Sequence, residues 1–438
     1  MATTESTHPA ARDLLLAGEH EQALRMAGPM LEANSEDLTA WRLCATALLG
    51  LGQTDIALKN LGSVAMALAE SQSPFFALAV VQELAELGGK VADLIHKIAV
   101  MYGAGSPRIV EMPAAPPPLP PIRPVPAWDA SVGIDEAVER ANEAMVMAWG
   151  AAMAFAGQNT KLPYVPLLSA LRPDDLVPLL HVFKRETAEP GQVIVKQGRP
   201  GDAMYIIIEG SVAVILHPPR GGSVELAQLG PGAFFGEMAL VSRAPRAAEV
   251  RAVDRTVSLV ASKEDMEQLA AQIPEIGNVL IAFCHARMLE NLMRISPVLA
   301  PIPPARRLEV VARFGTDYRE AGTTIIEEGR EGPGLFLVVS GLVRVTRKDG
   351  GEDVVVASLG PGELFGEISL LMRKPSTASV TAVEDTALLF LPRDDFHAAI
   401  GEHPELLKGA YDIAARREDQ NNSIMASSTA AADDLVLV

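Results

Sequence analysis

The chain has 438 residues, with 37 Lys and Arg against 55 Asp and Glu, and its formal charge is −18. Hydrophobic residues make up 49% and charged residues 21%, which is typical of a globular protein, and the length predicts two or three domains. The acidic balance argues against a nucleic-acid partner. Cys44 and Cys284 lie far apart in apolar surroundings, so we expect no disulfide and a reducing, cytoplasmic location. The first eight residues lack the basic start and apolar core of a signal peptide.

Residues 8–103 are predicted to form a helical region with an internal repeat. Gly18 and Ala23 recur as Gly52 and Ala57, an offset of 34 residues, which is the period of a tetratricopeptide unit. These small residues are predicted to let paired helices approach closely. The region would hold two to three such units, and it would either form a groove for a partner peptide or be a helical hairpin packed on the rest of the chain.

Residues 104–132 form a predicted linker. Its proline-rich part cannot continue a helix or a central strand and is typical of a semi-rigid extended spacer. Pro118, Pro121 and Arg123 also fit a polyproline ligand for SH3-type domains, which is the alternative.

Residues 133–160 are predicted to be an apolar connecting helix. Its apolar run, 144–156, is shorter than the roughly 20 residues that span a bilayer. We therefore expect this helix to pack on a neighbour or on its copy in a homodimer, and interfacial membrane attachment is the alternative.

The stretch from Phe235 to Ala248 has the residues of an anion-binding loop. Gly236 would allow the backbone N–H groups to come close to a phosphate, and Arg246 would supply a planar, permanently charged fork. Glu237 would accept a hydrogen bond from a sugar hydroxyl. The alternative is a tight surface turn in which Glu237 and Arg246 only pair with each other.

This stretch resembles the phosphate-binding cassette of the cyclic nucleotide-binding domain, the family of the catabolite activator protein and of the regulatory subunit of cAMP-dependent protein kinase. The resemblance extends over residues 161–292 and implies that Glu237 holds the ribose 2′-hydroxyl and Arg246 the cyclic phosphate. The binding residues that it implies are Gly236, Glu237, Met238, Ala239, Arg246, Ala247 and Ala248.

The resemblance also implies a helix that closes over the bound base as a lid. Phe283, Met288 and Leu292 are the lid candidates, and packing in the core explains them equally well. In the family, sites selective for cGMP often carry Thr or Ser after the arginine. Ala247 stands there, so the ligand is predicted to be cAMP, with cGMP as the alternative and no cofactor.

Residues 293–417 repeat the same plan. Phe235-Gly-Glu recurs as Phe365-Gly-Glu, 130 residues later, and three turn glycines recur at an offset of 131. The glycine pairs are Gly191 and Gly322, Gly198 and Gly329, and Gly210 and Gly341. Two copies of one β-roll are therefore predicted.

The second copy departs from the first at the phosphate position, where Ser376 replaces the arginine. A serine cannot offset the charge of a buried phosphate, so this copy is predicted to be degenerate, and Glu367 to be a remnant or a cap for the turn's amides. Pro375 is expected to turn Arg373 and Lys374 away from the site. The residues of this doubtful second site are Gly366, Glu367, Ser369, Ser376 and Thr377.

Residues 418–438 are predicted to be a disordered tail. Its last six residues, 433–438, contain apolar, β-prone residues and end in a carboxylate, which suits strand addition to a partner sheet.

The fold class predicted from these patterns is multidomain α+β, with N-terminal α-helical hairpin repeats followed by two β-roll (jelly-roll) domains with flanking helices. The sequence contains no catalytic signature and no metal-ligand spacing, so neither enzyme activity nor a metal site is predicted. The linker has only Arg108 and Arg123, which speaks against inhibition of a kinase by an Arg-Arg-x-Ser/Ala segment. The predicted function is a cAMP-responsive adaptor in signal transduction, which contacts a protein partner through its helical N-terminus or its tail. The alternative is a ligand-free scaffold in which both rolls serve assembly.

Overall fold

A computed structural model of the protein describes residues 5–110, 125–158, 161–217, 222–237, 245–295, 313–349 and 352–402, together with 407, 411, 414, 415 and 417. The side chains of residues 285–295 are not among the described parts. The polyproline motif at 118–123, the centre of the predicted cassette at 238–244 and the tail at 418–438 lie outside these ranges.

Residues 8–102 fold into helices that follow one another along the chain, as predicted. They are α1 (His8–Leu16), α2 (His20–Ala33), α3 (Leu38–Gly50), α4 (Thr54–Glu70), α5 (Pro74–Glu86) and α6 (Ala92–Tyr102). Ala23 and Ala57 are fully buried between helices, as expected for close packing. The role predicted for the glycines was wrong. Gly18 and Gly52 lie in the turns after α1 and α3 with φ of +79° and +80°, and nothing lies within 4 Å of an added Cβ, so they end helices instead of bringing them together.

The apolar connecting helix is present as α7 (Ile134–Gln158) and packs on α2, α3 and α4. It does so through small residues at helical spacing, which are Ala137, Ala141, Ala144 and Ala148. Packing on a neighbour is thus confirmed for this face, while Val146 and Met147 on another face are 63% and 68% exposed. No helix within the described residues is long and apolar enough to cross a membrane.

Short strands connect the helical region to the parts that follow. Strands β1 (Glu5–Ser6) and β3 (Val125–Pro126) pair antiparallel, and β2 (Ile109–Val110) pairs in parallel with β4 (Leu162–Pro163). Helices α8 (Pro166–Ser169) and α9 (Pro173–Val182) then lead into the first roll.

The first roll consists of two four-stranded antiparallel sheets, with strand orders β10-β7-β12-β5 and β6-β11-β8-β9. Its strands are β5 (Lys184–Ala188), β6 (Val193–Val195), β7 (Ala203–Glu209), β8 (Val212–Leu216), β9 (Val224–Leu229), β10 (Phe234–Phe235), β11 (Glu249–Ala252) and β12 (Thr256–Ser262). Helices α10 (Lys263–Gln272) and α11 (Pro274–Ile295) follow it. Ser262 caps α10, because its Oγ accepts a hydrogen bond from the Asp265 N–H at 3.0 Å.

The second roll repeats this topology strand for strand, with orders β13-β20-β15-β18 and β14-β19-β16-β17, which confirms the two predicted copies. Its strands are β13 (Gly315–Arg319), β14 (Thr324–Ile326), β15 (Gly334–Ser340), β16 (Val343–Asp349), β17 (Glu352–Leu359), β18 (Leu364–Phe365), β19 (Ser379–Ala382) and β20 (Thr386–Pro392). Its helices are α12 (Glu367–Leu371) and α13 (Arg393–Glu402).

Strand β7 joins the first roll to the N-terminal helices. Successive side chains of a strand point to opposite faces of its sheet, and both faces of β7 are buried. Tyr205 and Ile207 fill the interior of the roll. Met204, Ile206 and Ile208 belong instead to a core shared with α1 to α7, α9 and α11. The structure thus shows the helical region packed on the rest of the chain, which was one of the two predicted alternatives.

An ion-pair cluster borders this shared core. Arg42 on α3 donates from its Nε to Glu83 on α5 at 2.9 Å and from its Nη1 to Glu209, the last residue of β7. The side chains of Arg42, Glu83 and Glu209 are only 23%, 9% and 26% exposed. Because water reaches these groups poorly, each charge is stabilised mainly by its ion-pair partner.

We expect Arg42→Ala to lower the free energy of unfolding by about 2–3 kcal/mol, because it leaves two largely buried carboxylates without their cation. Denaturant unfolding of the full chain measures this. Arg172→Ala is the control, since Arg172 is 74% exposed and its pair with Asp175 contributes less than about 1 kcal/mol. An equal loss of unfolding free energy in the two variants would show that the ion-pair cluster does not stabilise the packing of the helices on the first roll.

Candidate functional site

The predicted loop begins at the end of a strand that is anchored in the sheet. In β10, Phe234 pairs with Ile206 and Phe235 pairs with Tyr205 of β7, and Gly236 follows directly. Gly236 has φ of +77°, and an added Cβ would lie 2.7 Å from Nη1 of Arg246. Glycine is therefore required here both for the backbone conformation and for the close approach of the guanidinium.

Arg246 is 9% exposed, and its guanidinium lies at the start of this loop, beside Gly236. Its Nη1 donates to the Gly236 carbonyl at 2.9 Å, and its Nη2 donates to the Ala203 carbonyl at 2.8 Å and to Oδ1 of Asp202 at 3.1 Å. Among the described residues, these contacts use three of the five N–H donors of the guanidinium. The guanidinium is therefore fixed in place, and two of its N–H donors make no hydrogen bond to a described residue.

Glu237 directly follows Gly236, whose carbonyl accepts the bond from Arg246, and it is 3% exposed. Its backbone carbonyl accepts a hydrogen bond from Sγ of Cys284 on α11 at 3.3 Å. Burial raises the pKa of Cys284 to about 12, so the thiol stays protonated and remains a donor. The helix after the roll is thus tied to the backbone of the loop.

The structure brings together three of the predicted binding residues, Gly236, Glu237 and Arg246. Ala247 and Ala248 follow Arg246 and are half-buried. Met238 and Ala239 lie outside the described residues. Among those residues no cluster of His, Cys, Asp and Glu is arranged to hold a metal.

The lid candidate Phe283 lies in the shared core and is 7% exposed. Its ring packs edge-on against Phe234, with the centroids 5.1 Å apart, and Phe234 in turn packs edge-on against Phe75 of α5 at 5.3 Å. Met288 and Leu292 are on the same helix, but their side chains are not described. No sequence pattern points to the contact of Phe75 with Phe234, because these residues are 159 positions apart along the chain.

In the second roll, Ser376 occupies the same backbone position that Arg246 has in the first. The Gly329 N–H donates to the Ser376 carbonyl at 2.8 Å, and the Ser376 N–H donates to the Arg330 carbonyl at 2.7 Å. The first roll has the same two bonds around Arg246. The predicted replacement of the arginine by serine is thus confirmed in three dimensions. Arg373 and Lys374 are exposed and do not line the cavity next to Ser376, also as predicted.

Glu367 is 1% exposed and has a partner that the sequence did not reveal. Its carboxylate accepts hydrogen bonds from its own backbone N–H and from Nη1 of Arg417 at 3.2 Å. The carboxylate thus forms an ion pair with Arg417 besides the bond to its own amide, and capping of the other amides of the turn stays a prediction. Arg417 also donates to the Leu364 carbonyl and pairs with Glu363 at 3.7 Å. A lone arginine 50 residues beyond the loop carries no motif, so only the fold identifies this contact.

Residues 185–273 and 318–403 match the cyclic nucleotide-binding domain family. The chain carries two cyclic nucleotide-binding domains. It is 32% identical over 224 residues to the cAMP-dependent protein kinase regulatory subunit of Aspergillus fumigatus, which covers 50% of the chain and 52% of that protein. It is 26% identical over 260 residues to cGMP-dependent protein kinase 2 of Mus musculus, which covers 58% of the chain and 32% of the kinase.

The chain spans about half the length of the curated regulatory subunits that it matches. A solved structure of the Thermus thermophilus catabolite activator protein is 36% identical, covering 31% of this chain and 63% of that one, with a TM-score of 0.29. With a TM-score of this size, the assignment of the two domains rests on the sequence matches.

The buried Glu367 predicts a pH dependence of stability. Burial raises the pKa of its carboxyl above the ordinary value, and Arg417 offsets only part of this shift. The folded chain therefore holds the proton more tightly than the unfolded chain does, so the free energy of unfolding falls as the pH rises between the unfolded and folded pKa values.

We expect Glu367→Gln to remove this dependence, because the amide does not ionise. The Tm of the wild type minus that of the variant, measured over a pH series, should decrease as the pH rises from acid to neutral. A difference that stays constant or increases would contradict the assignment.

Proposed function

We propose that the first roll binds a cyclic nucleotide, cAMP in preference to cGMP, and that the protein is a regulatory adaptor that conveys this binding to a protein partner. The observation that carries the proposal is the buried guanidinium of Arg246, which is fixed beside the Gly236 turn with two N–H donors that no described residue occupies. A phosphate is the ligand that such a group recognises, because charge-assisted hydrogen bonds are short and strong.

The roles of the other groups follow from the same arrangement. The cyclic phosphate accepts hydrogen bonds from Arg246 and from the N–H groups of the loop, while the carboxylate of Glu237 accepts one from the ribose 2′-hydroxyl. The preference for cAMP is supported by Ala247, which has no hydroxyl to meet the amino group of guanine.

Transmission starts at Phe234, which directly precedes the loop. Its ring contacts Phe283 on α11 and Phe75 on α5, so a shift of the loop changes the packing of the trailing helix and of the N-terminal helices together. Cys284 adds a bond from α11 to the loop backbone. We propose that the partner binds the surface of the helical region, where the packing changes, and uses the tail as a second contact. We also propose that the protein acts in the cytoplasm as a non-catalytic component.

The central test is calorimetric titration of cAMP, and separately of cGMP, into the full chain. We expect about one site per chain and tighter binding of cAMP. Arg246→Ala should weaken binding at least about 100-fold, because the truncation leaves a buried phosphate without its charge partner. Arg251→Ala is the matched control, since Arg251 is 45% exposed on the same roll and pairs with Glu249.

Saturable binding that survives Arg246→Ala would show that the phosphate site lies elsewhere. If neither nucleotide produced heat of binding, the proposed sensor function would be ruled out. The ligand-free scaffold, in which both rolls serve assembly, would then be the remaining function.

The proposed transmission predicts a change in amide hydrogen exchange. On saturation with cAMP, exchange should slow in α11 and in α5, and Phe75→Leu should reduce the change in α5 by at least half, since leucine keeps an apolar side chain but loses the aromatic contact. Phe76→Leu on the same helix is the control, because Phe76 is only half-buried. Unchanged exchange in α5 despite bound cAMP would mean that the helices do not sense the ligand.

A further inference from the structure

We propose that the first roll has a second binding site, a cavity between the edge strands β5 and β6, and that this site holds a short-chain amine with a hydroxyl group at its other end. The cavity has a volume of about 110 Å³. Buried residues of β12 and Tyr205 of β7 line its interior, and the exposed residues Glu186 and Gln192 lie at its mouth. None of the described residues that we assign to nucleotide binding lines it, so the inference does not depend on the function proposed for that loop.

The second roll is a copy of the first and shows the same strand positions with the space filled. Ser258 lies opposite Glu186 in the first roll, and Leu388 lies opposite Asp317 in the second. Leu388 is 1% exposed and packs in the core of its roll. The first roll thus has a small polar side chain where the second has a large apolar one.

The neighbouring cross-strand pair differs in the same sense. Val260 lies opposite Tyr205 in the first roll. Phe390 lies opposite Phe336 in the second, and their rings stack with the centroids 4.7 Å apart. Two adjacent inward positions of the last strand therefore carry smaller side chains in the first roll, which accounts for the cavity there.

The carboxylate at the mouth of the cavity lacks a cation. In the second roll, Arg319 donates from Nε and Nη2 to Asp317 at 3.0 and 2.8 Å. Ala188 stands at the matching register position of the first roll. No described residue forms an ion pair or a hydrogen bond with the Glu186 carboxylate, and the described lining contains no Lys, Arg or His. The ammonium of a ligand would supply the charge that Arg319 supplies in the other copy.

The cations at neighbouring positions of the first roll have carboxylate partners of their own. The pairs are Lys184 with Asp265 at 3.4 Å, Arg251 with Glu249 at 2.7 Å, Arg255 with Glu189 at 3.9 Å and Arg246 with Asp202 at 3.1 Å. An anionic ligand would therefore meet Glu186 without a free cation beside it, and the cavity disfavours it.

The interior of the cavity contains a hydroxyl without a partner. Ser258 is 4% exposed, its Oγ is fully buried, and no described atom forms a hydrogen bond with it. Side chains alternate along β12, so Ser258 faces the inside of the roll like Val260, while Leu259 belongs to the core of the helices. Buried hydroxyls in folded proteins are satisfied almost everywhere. A ligand hydroxyl can donate to this Oγ or accept from it.

The spacing of these two groups determines the size of the ligand. Ser258 and Glu186 are directly opposed, and such residues have Cβ atoms about 5 Å apart, which a chain of about three carbons between hydroxyl and ammonium matches. Ile194 and Val260 offer apolar surface to the carbons. The cavity is smaller than the roughly 150 Å³ that holds a benzene ring, which favours a short chain over a ring.

The test is methyl NMR of the full chain labelled at isoleucine, titrated with 3-aminopropan-1-ol. Ile194 lines the cavity, and Ile325 stands 131 residues later at the matching position of the second roll, so Ile325 is the reference signal. We expect a saturable shift of Ile194 and none of Ile325. Propylamine and 1-propanol each lack one polar group and should bind about threefold to fivefold more weakly. 3-Hydroxypropionate should bind at least about tenfold more weakly, because its carboxylate meets Glu186.

Three variants test the two polar contacts. Ser258→Leu should abolish the response of Ile194, and Ser258→Ala, which keeps the space, should weaken binding about fivefold. Glu186→Gln should remove the preference for 3-aminopropan-1-ol over 1-propanol. Glu189→Gln is the control and should leave affinity unchanged, since Glu189 is 71% exposed and does not line the cavity.

Three results would overturn the inference. They are an Ile194 signal that does not shift with 3-aminopropan-1-ol, equal affinity for 3-hydroxypropionate, and affinity that is unchanged in both Ser258 variants. A failure of cAMP to bind would count against the function proposed for the anion-binding loop and not against this site.

Discussion

The double burial of β7 is the constraint on which the first half of this protein depends. One face of the strand completes the interior of the first roll, and the other completes the core of the N-terminal helices. Removing either layer would expose a row of large apolar side chains to water. The free-energy cost is about 25 cal/mol for each Å² of apolar surface exposed. The same strand pairs with β10 and so sets the position of Gly236 and of the anion-binding loop. Stability and the placement of the site therefore have one structural origin.

The two rolls show how one side chain decides what a conserved backbone arrangement can hold. Both loops have a glycine at positive φ, Gly236 or Gly366. Both also have the same backbone hydrogen bonds at the position ten residues after that glycine. In the first roll that position carries Arg246, whose charge is held by carbonyls and an exposed aspartate. In the second it carries Ser376, and the nearby arginine comes instead from residue 417 and neutralises Glu367. A duplicated fold thus acquires two electrostatic environments without a change in topology.

Local patterns predicted much of this structure, and long-range contacts account for the rest. The 34-residue and 131-residue offsets, the glycine turns and the loop from Phe235 to Ala248 indicated the helices, both rolls and the positions of Arg246 and Ser376. The role of Gly18 was misjudged because a glycine between helices can serve close packing or a turn, and sequence does not distinguish the two. The contacts of Phe75 with Phe234 and of Arg417 with Glu367 join distant parts of the chain, where periodicity carries no information.

The shared core also has a consequence for how such proteins can be recombined in evolution. A roll that covers both of its own sheets can be moved between genes as a module, but the first roll here needs the helices to cover the even-numbered residues of β7. The unit that could be inherited intact is thus the helical region together with the first roll. The apolar side chains described in the second roll include two clusters made of residues of that roll alone, whereas the even-numbered side chains of β7 in the first roll belong to the core of the helices.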